Sequence, residues 1–208
     1  MSLSKPERVG VYGGTFSPPH IGHVHAAKHF IEQMRLDRLI SIPAGIPPHK
    51  TRTESTPAEE RLSLCRAAFS FSEKIHVSDM EIKREGKSYT ADTLELLAKA
   101  GQELFFLCGT DMLLTLDTWY DPARIFRLSH IVCLARENDA ALLAQMKKKA
   151  EDYRVRFNAS VTFLSAPPIT MSSSEVRERI KEGLAWEDTV PEEVAQRIKE
   201  KEIGRAHV

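Results

Sequence analysis

The stretch Gly13-Gly14-Thr15-Phe16-Ser17-Pro18-Pro19-His20-Ile21-Gly22-His23 gathers groups suited to holding a chain of phosphates. His20 and His23 are three apart at the start of a predicted helix, so they share a face. Each imidazole can donate a hydrogen bond to a phosphate oxygen, and does so more strongly when charged. Gly22 removes a side chain where a phosphate or nucleotide must approach closely. Gly13 and Gly14 close a predicted strand, and the helix that follows offers free N–H groups and a positive dipole end. The GxGxxG and GxxxxGK(S/T) phosphate loops are both absent. An HxxH pair with His25 and His29 nearby also fits a metal site, but such a site needs three or four compatible ligands. No adjacent cysteine or carboxylate completes that set, so no protein-held metal is expected.

A second group of polar residues opens a late helix: Ser172, Ser173, Ser174, Glu175 and Arg177. Ser172 and Glu175 form a capping-box pattern. Serines lining a helix N-terminus, with an arginine one turn later, also make a second phosphate cradle, and the two roles are compatible. Elsewhere, Lys50 lies in a proline-flanked loop and can reach a phosphate or simply remain solvated. Trp119 offers a flat face for a planar ring, in a polar setting of Asp117, Thr118, Asp121 and Pro122 that suits a pocket wall better than a core. Asp111 follows a buried strand, where it can bind ribose hydroxyls or shape a turn.

The elements that must position these residues alternate. Apolar runs predict strands over 8–12, 39–43, 75–82, 104–108, 131–134 and 161–164. The run 104–108 is continuous, as burial on both faces requires. Helical patterns span 21–36, 57–71, 90–100, 139–156, 173–181 and 192–201. Thr90 is placed to cap the third of these and Gly101 to close it. The alternation implies an α/β fold with a Rossmann-like, doubly wound, mainly parallel sheet, helices on both faces and a small C-terminal helical part. Ligands of such sheets bind beyond the carboxyl ends of the strands, where Gly13-Gly14, Gly109-Asp111 and Pro167-Pro168 emerge. We expect one domain over 1–184, with 185–208 as its helical extension.

Twenty-nine basic residues balance 29 acidic ones over 208 positions, which gives no broad electrostatic surface for nucleic acid. No run approaches the roughly 20 apolar residues of a membrane span, and no signal-peptide core follows the N-terminus. Three widely spaced cysteines, Cys65, Cys108 and Cys133, define no disulfide framework or CxxC site. A cytoplasmic, reducing setting is expected, and the oligomeric state is left open.

Gly14-Thr15-Phe16-Ser17-Pro18-Pro19-His20-Ile21-Gly22-His23 resembles the signature of the nucleotidylyltransferase superfamily that ends in His-x-Gly-His, with Ser17 where many members carry Asp. Met171-Ser172-Ser173-Ser174-Glu175-Val176-Arg177 resembles its partner motif, Ile-Ser-Ser-Thr-x-Ile/Val-Arg. Between them, Pro47-Pro48-His49-Lys50, Ser88-Tyr89-Thr90-Ala91-Asp92-Thr93, Gly109-Thr110-Asp111 and Trp119-Tyr120 are similar to segments of the bacterial nicotinate-mononucleotide adenylyltransferase family. The resemblance runs from about Val9 to Gly183. It implies adenylyl transfer from ATP to nicotinate mononucleotide, with Mg²⁺ carried on the ATP phosphates and water. It implies catalysis by His20, His23, Ser173 and Arg177. ATP would be bound by these together with Gly13, Gly14, Thr15, Phe16, Gly22, Gly109, Asp111, Ser172 and Ser174. The acceptor would meet Lys50, Thr90, Trp119, Tyr120 and Arg136, with Thr90 and Tyr120 near the pyridine carboxylate. Arg136 lacks the Pro-Gly that commonly follows in the family. Transfer to phosphopantetheine or nicotinamide mononucleotide, and a non-catalytic nucleotide sensor, are the competing readings.

Overall fold

The structure, a computed structural model, describes residues 5–46, 56–134, 139–167 and 169–201. Among them six strands lie in one sheet of order β3-β2-β1-β4-β5-β6. They are β1 (Glu7–Gly14), β2 (Arg38–Pro43), β3 (Ile75–Val77), β4 (Gln102–Gly109), β5 (Ser129–Leu134) and β6 (Val161–Leu164). β1 pairs parallel with β4 (Val9 opposite Leu104), β4 with β5 (Cys108 opposite Cys133), and β5 with β6 (Leu134 opposite Leu164). This is the doubly wound α/β order expected from the alternating pattern. Leu104 to Cys108 are all buried, which is why that run lacks the apolar–polar alternation of a half-exposed strand. No helix among the described residues is long and apolar enough to cross a membrane.

Two units divide the described residues. The first draws on 5–12, 27–40, 89–134 and 139–167, the second on 13–26, 41–46, 56–88 and 169–201. In the first unit a Cβ on Gly10 would lie 2.5 Å from Leu36 and 2.9 Å from Phe30. Bare backbone there lets β1 take the end of helix α1 (Ile21–Gln33) at contact distance. The helix was expected to run to 36. It stops earlier because Arg35 takes a left-handed conformation and the amides of Arg35 and Leu36 turn back to the carbonyls of Glu32 and Ile31. That C-terminal motif usually uses glycine, so the sequence hid the stop. Helix α4 (Thr90–Leu97) begins with Thr90 itself rather than being capped by it, the capping position belonging to Tyr89. Gly101, expected to close α4, instead sits at φ +80° in a turn where Gln102 N–H donates to Lys99 O.

Between β4 and β5 the chain forms α5 (Thr110–Thr115), a 3-10 turn at Leu116–Thr118 and α6 (Pro122–Leu128). Asp121 caps α6 by accepting from Arg124 N–H at 3.2 Å, with Pro122 in the first turn. α7 (Ala140–Phe157) is capped by Asp139. The register-paired Cys108 and Cys133 are buried core thiols. A hydrogen bond with Cys133 and then burial push the Cys108 thiol well above its usual range.

In the second unit α2 (Ala58–Ala68) packs against α9 (Glu192–Lys201), whose Val194, Ala195 and Ile198 are buried. The strand expected over 75–82 ends at Val77. Ser78 Oγ accepts from Met80 N–H at 3.3 Å, and a short helix α3 (Met80–Lys83) takes over, with Lys83 paired to Asp79. Serine and aspartate divert the backbone locally in this way. α8 (Ser173–Glu182) ends on Gly183 at φ +69°.

Candidate active site

In the second unit the segment after β1 is built around Phe16. Its backbone is left-handed, its ring is buried, and it meets His23 and Phe69 edge-on at centroid distances of 4.9 and 5.6 Å. A Cβ on Gly14 would stand 2.9 Å from that ring, whereas one on Gly13 would meet open space. Gly14 is therefore required by Phe16, and Gly13 leaves the backbone accessible. Ser17, the departure from the common signature, is buried. Its hydroxyl lies 3.0 Å from the Thr56 hydroxyl and receives the Thr56 N–H, so it joins two loops.

The histidine pair is fixed by main-chain donors. Gly22 N–H donates to His20 Nδ1 at 3.2 Å, and His20 N–H donates to His23 Nδ1 at 3.1 Å. A neutral imidazole whose Nδ1 accepts carries its proton on Nε2. Both rings are thus set as Nε2–H donors. Their centroids are 3.8 Å apart. His20 is buried and His23 half-buried. A Cβ on Gly22 would lie 3.0 Å from His20 Cε1, so this glycine makes room for the ring that its own amide holds.

α8 is latched onto the same segment. Ser172 accepts from Glu175 N–H at 3.1 Å as the helix cap. Glu175 pairs with Arg179 rather than completing a reciprocal box. Ser173 Oγ donates to Pro18 O at 2.9 Å, and Arg177 donates to Ser17 O and, at 3.1 Å, to Ser174 Oγ. The structure therefore brings Gly14, Phe16, Gly22, His20, His23, Ser173 and Arg177 together along residues 14–23.

In the first unit Trp119 is half-buried and edge-on to Phe106, centroids 6.4 Å apart. Tyr120 is exposed and packs on Tyr89 at 4.5 Å. That contact sets Tyr120 beside the start of α4, where Thr90 is the first residue and its N–H has no partner within the helix. Gly109 precedes α5, and Asp111 is exposed in its first turn. Lys50 and Arg136 lie outside the described residues. Among the described residues no group of three or more His, Cys, Asp or Glu side chains is arranged to hold a metal ion.

Three residues have supporting roles that the sequence reading did not assign. Arg61 is buried and bonds to loop carbonyls around the histidine segment. Arg124 binds Asp92 and Glu95, lies 3.0 Å from Asp121, and stands 5.7 Å from the Tyr120 ring. Asp117, in the turn before Trp119, receives Lys149, Arg156 and the Tyr153 hydroxyl. Burial works against its charge, but those three hydrogen bonds prevail and hold the carboxyl at about 2. Asp121-Pro122 was a readable helix start, and it would have pointed to α6 and Arg124.

A doubly wound sheet with an HxGH segment at the start of α1 and a serine–arginine helix latched to the loop before it defines a nucleotidyltransferase class. The family model described as cytidylyltransferase-like matches residues 11–179, and the chain belongs to that family. Within it, the chain is 37% identical over 195 residues to a protein of Exiguobacterium sibiricum named "Probable nicotinate-nucleotide adenylyltransferase", covering 93% of this chain and 96% of the relative. A protein of the same name from Dehalococcoides mccartyi is 38% identical over 196 residues, covering 93% and 95%. The fold is shared with Plasmodium falciparum nicotinic acid mononucleotide adenylyltransferase complexed with NaAD, at TM-score 0.73, 15% identity and coverage of 95% and 97%.

Proposed function

We propose that this chain transfers the adenylyl group of ATP to nicotinate mononucleotide, forming nicotinate adenine dinucleotide and pyrophosphate for NAD synthesis. The observation that carries this reading is the pair of imidazoles held by main-chain N–H groups at Nδ1, beside a helix that brings Ser173 and Arg177 to the same segment. The relatives, similar over nearly the whole chain, supply the acceptor.

A phosphate oxygen of the mononucleotide attacks the α-phosphorus of ATP. The bond from that phosphorus to the β-phosphate oxygen breaks, and its electrons leave with pyrophosphate. The nucleophile is ionised near neutral pH, so neither a serine nucleophile nor a general base is needed. Catalysis rests on positioning and on donors aimed at charge that builds on the leaving group. His20 and His23 give their Nε2–H groups to ATP phosphate oxygens, and Arg177 and Ser173 meet the same phosphates from α8. ATP brings Mg²⁺ with it, coordinated by phosphate oxygens and water. On the acceptor side, Trp119 stacks on the pyridine ring, and the main-chain N–H groups of Thr90 and Tyr120 meet its carboxylate. Lys50 and Arg136 are assigned to phosphate by their place in sequence. The buried free thiols suit the reducing cytoplasm.

The test is incubation with Mg²⁺-ATP and, separately, nicotinate mononucleotide, nicotinamide mononucleotide and phosphopantetheine, with pyrophosphate measured and products weighed. Nicotinate mononucleotide should turn over fastest. Preference for either other acceptor would overturn the acceptor assignment, and pyrophosphate from none of them would leave a nucleotide sensor.

A further inference from the structure

We propose that Arg61 is a positioning residue for the ATP-binding segment, its guanidinium setting the loops after β1 and β2 so that the histidines meet the ATP phosphates. The inference rests on the function proposed above. Arg61 is 1% exposed. Nε donates to Thr56 O at 3.0 Å, Nη1 to Thr15 O at 2.8 Å, and Nη2 to Ala44 O at 2.6 Å and Gly45 O at 3.3 Å. Every one of these acceptors is a main-chain carbonyl. The planar fork thus spans the turn after β1, the turn after β2 and Thr56, two residues before α2. Thr56 is in turn bound to Ser17, which carries Arg177 on its carbonyl. One buried group is therefore linked, directly to Thr15 or through Thr56 and Ser17 to Arg177, to the parts that present the histidine segment.

Among the described residues no carboxylate is paired with this buried cation, which makes it a costly way to hold loops. Burial pulls the guanidinium below its ordinary range, but the ordinary range is so high that the charge is retained. Cys65, one turn along α2, remains a thiol because burial raises it above the usual range, so it supplies no counter-charge. An apolar core residue would stabilise α2 more simply and would leave the four carbonyls unmet. The arrangement gives fixed loop geometry and a positive charge in a weakly screened interior, both of which favour an incoming polyphosphate.

Arg61→Lys keeps the charge but loses the fork. Per folded molecule, kcat/KM for ATP should fall on the order of 10²-fold, with the nicotinate mononucleotide KM within about twofold of wild type. Wild-type kinetics in folded Arg61→Lys, or an equal rise in both KM values, would overturn the proposal. If Arg61→Lys fails to fold, nitrogen-15 NMR of arginine-labelled wild-type protein gives the answer. The Arg61 guanidinium resonances should move when Mg²⁺-ATP is added alone and stay still with the mononucleotide alone. ATP-induced shifts elsewhere with Arg61 unmoved would refute the positioning role and spare the function. A spectrum untouched by ATP would refute both.

Discussion

The two regions assigned to the two substrates are held by different means. The segment assigned to ATP is fixed from inside, by main-chain hydrogen bonds to His20 and His23, by a buried ring at Phe16 and by Arg61 on loop carbonyls. The region assigned to the acceptor is braced by charged side chains. Arg124 binds Asp92 and Glu95 near Tyr120, and Asp117 binds Lys149 and Arg156 before Trp119. Buried groups that bond to backbone permit little adjustment, whereas ion pairs near solvent are weak and screened by salt. The difference teaches that the segment assigned to ATP is held from within the fold, while the region assigned to the acceptor is braced by replaceable charged side chains.

The largest effect should come from the histidines. His20→Ala or His23→Ala removes one Nε2–H donor and should lower kcat by about 10²–10³-fold with little change in acceptor KM, read as pyrophosphate release under saturating substrates. Unchanged turnover in both variants would break the comparison at its strong end. Trp119→Ala should leave kcat nearly intact and raise the nicotinate mononucleotide KM about tenfold, the equivalent of ~1.4 kcal/mol of lost stacking. If acceptor saturation is unaffected, Trp119 is not the ring's platform.

Smaller effects sharpen the contrast in bracing. Arg124→Gln should raise the acceptor KM about two- to threefold at low salt, with the difference closing near 0.5 M salt as exposed pairs are screened; a salt-independent defect would argue against ionic bracing. Asp117→Asn should cost on the order of 2–4 °C in Tm at pH 7. The Asp117 carboxyl is held at about 2 in the folded protein, below its ordinary value, so its stabilisation is full above the ordinary carboxylate range and lost as pH falls through about 2. The Tm gap between wild type and Asp117→Asn should therefore shrink on acidification, and a constant gap would show that the charge is not what matters.

What could be read in sequence followed how local each feature is. The histidine and serine segments are contiguous, since rings, amides and helix starts must be neighbours to bond as they do, and the doubly wound sheet was legible in alternating apolar runs. Arg61 was illegible because its acceptors are carbonyls, which every residue has, drawn from three separate places. Its sole local sign was a charge on the face of α2 that also carries Leu64, Cys65 and Ala68. The end of β3 was overrun because Ile82 prolonged an apolar pattern that Ser78 and Asp79 break.

The most direct measurement is mass spectrometry of the products made from Mg²⁺-ATP and nicotinate mononucleotide whose three non-bridging phosphate oxygens are ¹⁸O. Attack by the mononucleotide on the α-phosphorus predicts a dinucleotide that keeps all three heavy oxygens, and pyrophosphate that has none. No dinucleotide, or heavy oxygen in the pyrophosphate, would contradict the account.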